Sequence, residues 1–305
     1  RNRLSAGIVS VTLVAMFAAC GGGERRGEGA DSAAQDSKPV TVKGSDTMVI
    51  LGQRLAEEYM KLNPGLYVQV TGGGSGTGIA ALINGTTDIA QSSRAISADE
   101  MSKAEKARGG VTETPIALDS LAVFVNDRNP IRELTIAQVR DVYTGKTKNW
   151  RELGGPNATI VIYGRESSSG TYDYFKEHVL NKADFASMTQ TLQGTAAIIN
   201  AVAKDPNGIG YGGIAYAKDV RAVGMKTEAN VPAVAPSEAT VADGSYPLSR
   251  KLFFYYPSGT PQRVTNFVQW TLTPEAQALV ARVGYFPLRT QSGEGDTAQP
   301  AATPQ

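Results

Sequence analysis

Three glycine-rich turns constrain the fold of this chain more than any other feature of its sequence. Each turn combines glycine with serine or threonine and lies between a predicted strand and a predicted helix, at residues 44–47, 72–78 and 165–171. The first N–H groups of a helix have no partner within the helix and carry partial positive charge. A strand that ends in such a turn therefore suits phosphate, sulfate or carboxylate. Three such turns predict one anion site if the fold brings them together.

The rest of the chain alternates between strand-like and helix-like segments. Strand patterns occur at residues 40–43, 66–70, 88–90, 118–125, 159–163 and 251–256. Helix patterns occur at residues 48–62, 78–84, 97–108, 136–143, 171–181, 195–204, 261–272 and 274–283. This alternation predicts an α/β fold with mixed, mostly parallel sheets. Because ligands of such sheets bind beyond the carboxyl ends of the strands, we expect the three turns to meet there.

The third turn carries a cation as well as hydroxyl groups. Arg165 lies shortly before the sequence Ser169-Gly170-Thr171. A guanidinium is the preferred partner of a tetrahedral oxyanion because it donates parallel hydrogen bonds in a fixed fork. A single serine–glycine turn is ordinarily only a helix cap, so the prediction depends on the recurrence of the pattern.

The composition excludes several classes of function. Lys and Arg total 30 and Asp and Glu total 29, so the chain lacks the broad basic field of a nucleic-acid binder, and no nucleic-acid partner is expected. The single Cys and single His exclude an intrachain disulfide and a zinc site built from these residue types. The acidic residues show no recognisable metal-binding spacing, so we predict neither a metal nor a cofactor.

The N-terminus has the pattern of an exported protein that is cleaved before a cysteine. Arg1 and Arg3 precede a mostly apolar run at residues 4–17, and two alanines then precede Cys20. The pattern resembles the lipobox of bacterial lipoproteins, in which this cysteine is lipidated. It predicts a signal peptide at residues 1–19 and a membrane anchor on Cys20. An ordinary secretory signal with an incidental cysteine is the alternative.

Both segments that flank the folded body have few large apolar residues. Residues 20–38 are rich in glycine and charge and are predicted to form a flexible tether. Residues 290–305 are predicted to be a disordered tail. The folded body is therefore expected to span residues 39–289.

Several motifs, taken in order along the body, resemble the Pst-type phosphate-binding proteins of high-affinity phosphate ABC transporters. The motifs are VTVKGSDTM, VTGGGSGTGIAALINGTTDIAQSSR, YTGKTKNW, GRESSSGTYDYF, GIGYGGIAYA and VGYFPL. The resemblance implies a two-lobed fold like that of periplasmic binding proteins, with two crossing hinge strands near residues 118–125 and 248–255. It places lobe I at residues 39–119 plus 251–289 and lobe II at residues 120–250.

The resemblance also implies a function and a set of ligands. The implied function is that of an exported, membrane-anchored monomer that captures inorganic phosphate between its lobes and delivers it to an ABC permease, without enzymatic activity. Transferred motif by motif, the phosphate ligands are Thr47, the backbone of Met48, Ser75, Arg165, Ser169, Gly170 and Thr171. We add Ser45 as a further donor.

The chain departs from the family pattern where some members carry a proton-accepting aspartate. In the segment that matches residues 91–94 the corresponding residue is Arg94, or Ser93 in a slightly different alignment. Arg94 is predicted to be a second cationic ligand, with pairing to a carboxylate as the alternative. The third turn also has Ser167 where the family has aspartate. The proton acceptor could instead be Asp46, Asp119 or Glu166.

Two other functions are compatible with the same residues. A binding protein for sulfate or molybdate would use the same kind of site. A phosphoester hydrolase would need a nucleophile with a base, and Ser169 has no base evident in the sequence. His178 lies in a charged helical segment and is expected to be a surface residue. A dinucleotide motif at residues 208–213 fits formally but does not follow a clear strand.

Overall fold

The computed structural model describes residues 38–288. The predicted signal peptide, Cys20, all but the last residue of the tether, and the C-terminal tail lie outside the described residues.

The described residues form eleven strands. They are β1 (Val40–Gly44), β2 (Val68–Thr71), β3 (Ile89–Ser92), β4 (Val111–Asn126), β5 (Glu133–Thr135), β6 (Val161–Arg165), β7 (Gln190–Leu192), β8 (Gly208–Gly213), β9 (Val220–Ala222), β10 (Gly224–Lys226) and β11 (Ser249–Pro257). Short 3₁₀ helices lie at Asp46–Met48, Trp150–Leu153 and Ile214–Tyr216.

The same residues form nine α-helices. They are α1 (Val49–Leu62), α2 (Ser75–Ile83), α3 (Ala98–Arg108), α4 (Ile136–Tyr143), α5 (Gly170–His178), α6 (Thr195–Lys204), α7 (Glu238–Ala242), α8 (Gln262–Thr271) and α9 (Pro274–Val283). Local chemistry explains several of the helix starts. Ser97 and Thr135 each form a capping box with the third residue of the helix that follows. Pro274 occupies the first turn of α9 behind the cap Thr273.

One large sheet runs through the molecule in the order β2-β1-β3-β11-β4-β8-β6-β7, with β9 also paired to β4. The outer pairs are parallel, because β1 pairs with β2 and β3, and β6 pairs with β7 and β8. The central pairs that involve β4 and β11 are antiparallel. The prediction of mixed sheets in an α/β fold is thus confirmed. Strands β5 and β10 form a separate parallel pair.

Two large hydrophobic cores and two smaller clusters are buried among the described residues. The first contains Leu51, Ile89, Phe254 and Phe267 among its buried residues. The second is separate and is built from aromatic and aliphatic side chains, including Val123, Tyr143, Trp150, Phe175 and Tyr211. We call the parts of the chain that pack on these cores lobe I and lobe II.

Strand β4 passes from one core to the other. Its residues Ile116 and Ala117 belong to the first core, whereas Leu121, Val123 and Val125 belong to the second. Strand β11 lies antiparallel to it. The fold is therefore two-lobed with crossing strands, as predicted. The lobe boundaries given above stay a prediction.

The structure differs from the predicted elements in two places near the turns. Helix α2 begins at Ser75, three residues earlier than expected, because Gly74 adopts a φ of 92° and turns the chain directly into the helix. Strand β8 was not predicted, because its glycines have low strand propensity. These glycines allow α6 to pack closely, since a Cβ at Gly210 would lie 2.6 Å from Ile198 Cγ2.

Candidate anion-binding site

The three turns come together at the carboxyl ends of their strands. The first follows β1, the second follows the neighbouring strand β2, and both belong to lobe I. The third follows β6 in lobe II and leads into α5. The hydroxyl oxygens of Thr47 and Thr171 lie 2.9 Å apart, so the first and third turns are in direct contact.

Two further hydroxyl groups join this contact. Ser75 Oγ and Ser93 Oγ are 3.4 Å apart, and Ser93 Oγ lies 3.4 Å from Thr171 Oγ1. The peptide N–H of Ser93 also donates to Ser75 Oγ at 3.1 Å. Thr47, Ser75, Ser93 and Thr171 are all buried, with exposures of 0–1%. We call these four residues the hydroxyl cluster. Hydroxyls both donate and accept hydrogen bonds, so the cluster offers donors to anionic oxygens and acceptors to an anion that carries a proton.

The backbones of the second and third turns are also in contact. The N–H of Gly76 donates to the carbonyl oxygen of Ser168 at 3.0 Å, and Ser168 Oγ donates to the carbonyl oxygen of Gly73 at 3.3 Å. Gly170 fits against Ser75 so closely that a Cβ would lie 2.3 Å from Ser75 Oγ. The two lobes therefore meet at these turns.

Arg165 is buried beside the cluster, with 1% of its side chain exposed. Its Nη1 donates to Thr195 Oγ1 at 2.9 Å, and its Nη2 donates to Asp46 Oδ2 at 2.9 Å. Glu166 accepts from Nε at 3.0 Å and from Nη2 at 2.9 Å. A buried guanidinium requires such partners, because leaving its donors unsatisfied would be costly.

The two carboxylates on Arg165 fix its orientation. Burial alone would raise the pKa of Glu166, but the hydrogen bonds and charge of Arg165 outweigh burial and hold this pKa below its ordinary value. Asp46 is held on its other oxygen by the N–H of Gly73 at 2.9 Å. Asp46 belongs to the first turn, so its pair with Arg165 joins the two lobes.

The other predicted ligands lie in the turns themselves. Ser45 is buried, and its N–H donates to the carbonyl oxygen of Gln91 at 2.8 Å. The N–H of Met48 donates to the carbonyl oxygen of Ser45 at 3.0 Å within the 3₁₀ turn. Ser169 caps α5, since its Oγ accepts from the N–H of Tyr172 at 3.3 Å. Gly170 is the first residue of that helix.

Arg94 pairs with carboxylates, which was the alternative to its predicted role as an anion ligand. Its Nη1 and Nη2 donate to the two oxygens of Glu100, both at 2.8 Å. Its Nε donates to Asp173 Oδ2, also at 2.8 Å. All three nitrogens of Arg94 thus have carboxylate partners, whereas Nη1 of Arg165 is bonded to the neutral hydroxyl of Thr195. For this reason Arg165, and not Arg94, is the cation of the candidate site.

Asp119, a candidate proton acceptor, is occupied by another partner. It lies opposite Arg250 in the β4–β11 pairing, and its Oδ2 accepts from Arg250 at 2.8 and 2.9 Å. Burial raises the pKa of Asp119, against the opposing charge of Arg250. The carboxylate lies close to the first turn across Gly213, because a Cβ there would lie 3.0 Å from Thr47 Cγ2 and 3.1 Å from both Asp119 oxygens.

Two residues of the site were not among the predicted ligands. Ser93 appeared only as an alternative position for the missing aspartate. Thr195 was not considered, although Gly194-Thr195 also lies between a strand, β7, and a helix, α6. That fourth turn carries the same signal as the other three, but the short strand before it was not predicted.

The described residues contain neither a membrane-spanning helix nor a metal-binding cluster. Among residues 38–288 we find no helix with the length and hydrophobicity that a membrane span requires. The same residues contain no group of three or more His, Cys, Asp or Glu side chains suited to a metal ion. His178 packs its ring against Tyr174, with the centroids 4.0 Å apart.

Known proteins resemble this chain in sequence and in fold. A family model described as the PBP superfamily domain matches residues 29–275. The phosphate-binding protein PstS of Pseudomonas aeruginosa is 34% identical over 269 residues, which cover 82% of this chain and 83% of the relative. The chain belongs to the family of Pst-type phosphate-binding proteins. The protein SphX of Synechococcus elongatus is 33% identical over 262 residues, which cover 82% of this chain and 77% of SphX.

Solved structures of Pst-type relatives share the fold. A phosphate ABC transporter substrate-binding protein from Clostridium perfringens, solved with bound phosphate, has a TM-score of 0.76 and 30% identity. The match covers 83% of this chain and all of that one. An ABC-type phosphate transport receptor from Vibrio cholerae has a TM-score of 0.66 at 28% identity and covers 81% and 99% of the two chains.

Proposed function

We propose that this protein binds inorganic phosphate between its two lobes and delivers it to the permease of an ABC transporter. The observation that carries the proposal is the contact between Thr47 and Thr171 beside the buried Arg165. It brings hydroxyl donors from both lobes and one cation to a single place. A close relative in fold and sequence was solved with phosphate bound.

The proposed ligands are the turn residues that line this place. They are Ser45, Thr47, the backbone of Met48, Ser75, Ser93, Arg165, Ser169, Gly170 and Thr171. Arg165 supplies charge-assisted hydrogen bonds, and the hydroxyls and the start of α5 supply neutral donors. Such a site recognises an anion by geometry, which suits a chain whose net charge is close to zero.

Ser93 is the proposed acceptor for the proton of phosphate. Asp46 and Glu166 both accept from Arg165, and Asp119 accepts from Arg250, so all three carboxylate candidates already have a cationic partner. Ser93 Oγ faces Ser75 and Thr171 within the hydroxyl cluster. When the Ser93 hydroxyl donates to Ser75 or Thr171, its oxygen accepts a hydrogen bond from the O–H of hydrogen phosphate, a bond that sulfate, which has no proton at neutral pH, does not make. In this arrangement the site favours phosphate over sulfate and molybdate.

The chain has no proposed enzymatic activity. Ser169, the nucleophile of the hydrolase alternative, accepts a hydrogen bond from the backbone of its own helix, and His178 lies against Tyr174. The relatives named above are named for binding and transport. The absence of enzymatic activity stays a prediction.

The location of the protein is proposed from its N-terminus and its family. We propose export through the signal at residues 1–19, anchoring by lipid on Cys20, and function as a monomer at the outer side of a membrane. Replacing Cys20 with alanine should move the exported protein from the membrane fraction to the soluble fraction. If the variant stays with the membrane, the lipid anchor is wrong.

Calorimetric titration with phosphate and with sulfate tests the proposed function. Tight phosphate binding with one site per chain supports it. Absence of binding after complete removal of co-purified anion contradicts it.

A further inference from the structure

Two arginines cross between the lobes in opposite directions. Arg165 of lobe II binds Asp46 of lobe I, and Arg94 of lobe I binds Asp173 of lobe II. Each arginine is also held by a glutamate of its own lobe, Glu166 for the first and Glu100 for the second. Each lobe therefore supplies the arginine of one interlobe ion pair and the aspartate of the other. The hydroxyl cluster lies close to both pairs.

The Arg94 pair lies immediately next to the anion site. Arg94 follows Ser93, a member of the hydroxyl cluster, in the sequence. A Cβ on Gly170 would lie 3.1 Å from Arg94 Cγ, so the stem of Arg94 packs against the start of α5. Asp173 lies on the first turn of the same helix. The pair thus joins the segment after β3 to α5, the helix that begins with the proposed ligands Gly170 and Thr171.

Glu100 orients Arg94 for this contact. It accepts from both terminal nitrogens of Arg94, and one of its oxygens also accepts from the N–H of Ser97 at 2.9 Å in the capping box of α3. The fork is therefore fixed to a helix of lobe I before the lobes meet. A fixed guanidinium loses less side-chain entropy when it finds its partner.

The two interlobe pairs differ in their exposure. The side chains of Arg165 and Asp46 are 1% and 18% exposed, whereas those of Arg94 and Asp173 are 15% and 41% exposed. The Arg94 pair is thus the one that solvent and salt can reach. Its guanidinium has carboxylate partners on all three nitrogens and does not need an anion to complete its bonding.

We propose that the Arg94–Asp173 pair is an interlobe clasp that sets the rate of phosphate release without contacting phosphate. The proposal rests on the proposed function. A ligand buried between two lobes leaves only after the lobes separate. Separation of the lobes breaks the Arg94–Asp173 contact. Phosphate first meets the open site before this contact has formed. The clasp therefore slows dissociation and leaves association unchanged.

Release of labelled phosphate tests the clasp. The full-length protein is loaded with radiolabelled phosphate, mixed with an excess of unlabelled phosphate, and followed by rapid filtration. The variants are Asp173→Asn, Arg94→Gln and the double variant. The control is Asp184→Asn, which neutralises an exposed aspartate of lobe II. Asp184 pairs with Lys176, and Lys176 lies on the same helix as Asp173.

The clasp predicts faster release in both single variants. Each should release phosphate about twofold to fivefold faster, the range expected for a partly exposed ion pair. The double variant should release phosphate no faster than the faster single variant, because the two single substitutions remove the same contact. The association rate should not change. The difference from wild type should shrink in about 1 M salt, where screening is strong.

Three outcomes would overturn the proposal in distinguishable ways. If Asp173→Asn and Arg94→Gln release phosphate at the rate of Asp184→Asn, the clasp is wrong and the proposed function stands. If the effects of the two substitutions multiply in the double variant, the residues act separately and the clasp is also wrong. If the wild-type protein retains no labelled phosphate, the proposed function fails and the clasp fails with it. Equal unfolding temperatures of the variants exclude loss of structure as a cause.

Discussion

The hydroxyl oxygens of Thr47 and Thr171 lie 2.9 Å apart, although 124 residues separate them in the sequence. Each residue belongs to a turn that opens a helix, one in lobe I and the other in lobe II. Their contact exists only while the lobes are together. In the proposed function, closure of the lobes and completion of the anion site are therefore a single structural event.

Replacement of Arg165 by alanine should weaken phosphate binding by about 3 kcal/mol or more, because it removes the only cation of the proposed ligand set and leaves Asp46 and Glu166 without their partner. Arg165→Lys should recover part of this loss, since it keeps the charge but not the fork. Titration calorimetry measures both. Arg151→Ala, at an exposed position of lobe II, is the control. An affinity of Arg165→Ala within about threefold of wild type would show that Arg165 is not a ligand.

Replacement of Gly170 by alanine should prevent the turns from closing. The added methyl group would lie 2.3 Å from Ser75 Oγ and 2.7 Å from Ser75 Cβ. Overpacking of this kind costs about 1–3 kcal/mol, so phosphate affinity should fall about fivefold to a hundredfold. Gly259→Ala is the control, because no atom lies within 4 Å of a Cβ at this position. Wild-type affinity in Gly170→Ala would mean that the turns do not need this close approach.

Substitutions at Ser93 should change the preference between phosphate and sulfate. Ser93→Ala removes the proposed proton acceptor and should reduce the preference for phosphate about tenfold, the value of one hydrogen bond. Ser93→Asp should increase the preference, because a carboxylate accepts the phosphate proton and repels sulfate. Competition titrations at neutral pH measure the ratio. An unchanged ratio in both variants would exclude Ser93 as the acceptor.

The pair between Arg165 and Glu166 should contribute to stability in a pH-dependent way. The pKa of Glu166 in the folded protein lies below its ordinary value, because the hydrogen bonds and charge of Arg165 outweigh the effect of burial. Stability from such a carboxylate is fully present above the unfolded-state pKa, about 4.3 for glutamate, and is lost as the pH falls through the folded-state pKa.

Urea unfolding of the wild type and Glu166→Gln between neutral and acidic pH tests this contribution. The free energy of unfolding of the wild type should exceed that of the variant at pH 7, and the difference should shrink below about pH 4.3. A difference that stays constant across this range would show that the charge of Glu166 does not stabilise the fold.

The sequence locates the turns well, because the information that defines them is local. Glycine and hydroxyl residues between a strand and a helix are adjacent in the chain, so the turns at 44–47, 72–78 and 165–171 could be recognised directly. The α4 and α9 helices were predicted for the same reason, because Thr135 and Thr273 cap them locally.

The contacts that the sequence did not reveal are those between distant residues. Arg94 and Asp173 are 79 residues apart, and no local pattern tells a carboxylate partner from an anion ligand. Asp119 and Arg250 meet only because β4 and β11 pair in one register. Strand β8 depends on the packing of α6 over its glycines. In each case the deciding interaction is tertiary.

Titration of the protein with phosphate and then with sulfate, after complete removal of co-purified anion, tests the central claim most directly. We predict one phosphate per chain with a dissociation constant below about 1 µM, and sulfate binding at least about 100-fold weaker, a difference of about 2.7 kcal/mol. Equal affinities, or a preference for sulfate, would contradict the assignment of phosphate as the ligand of the hydroxyl cluster.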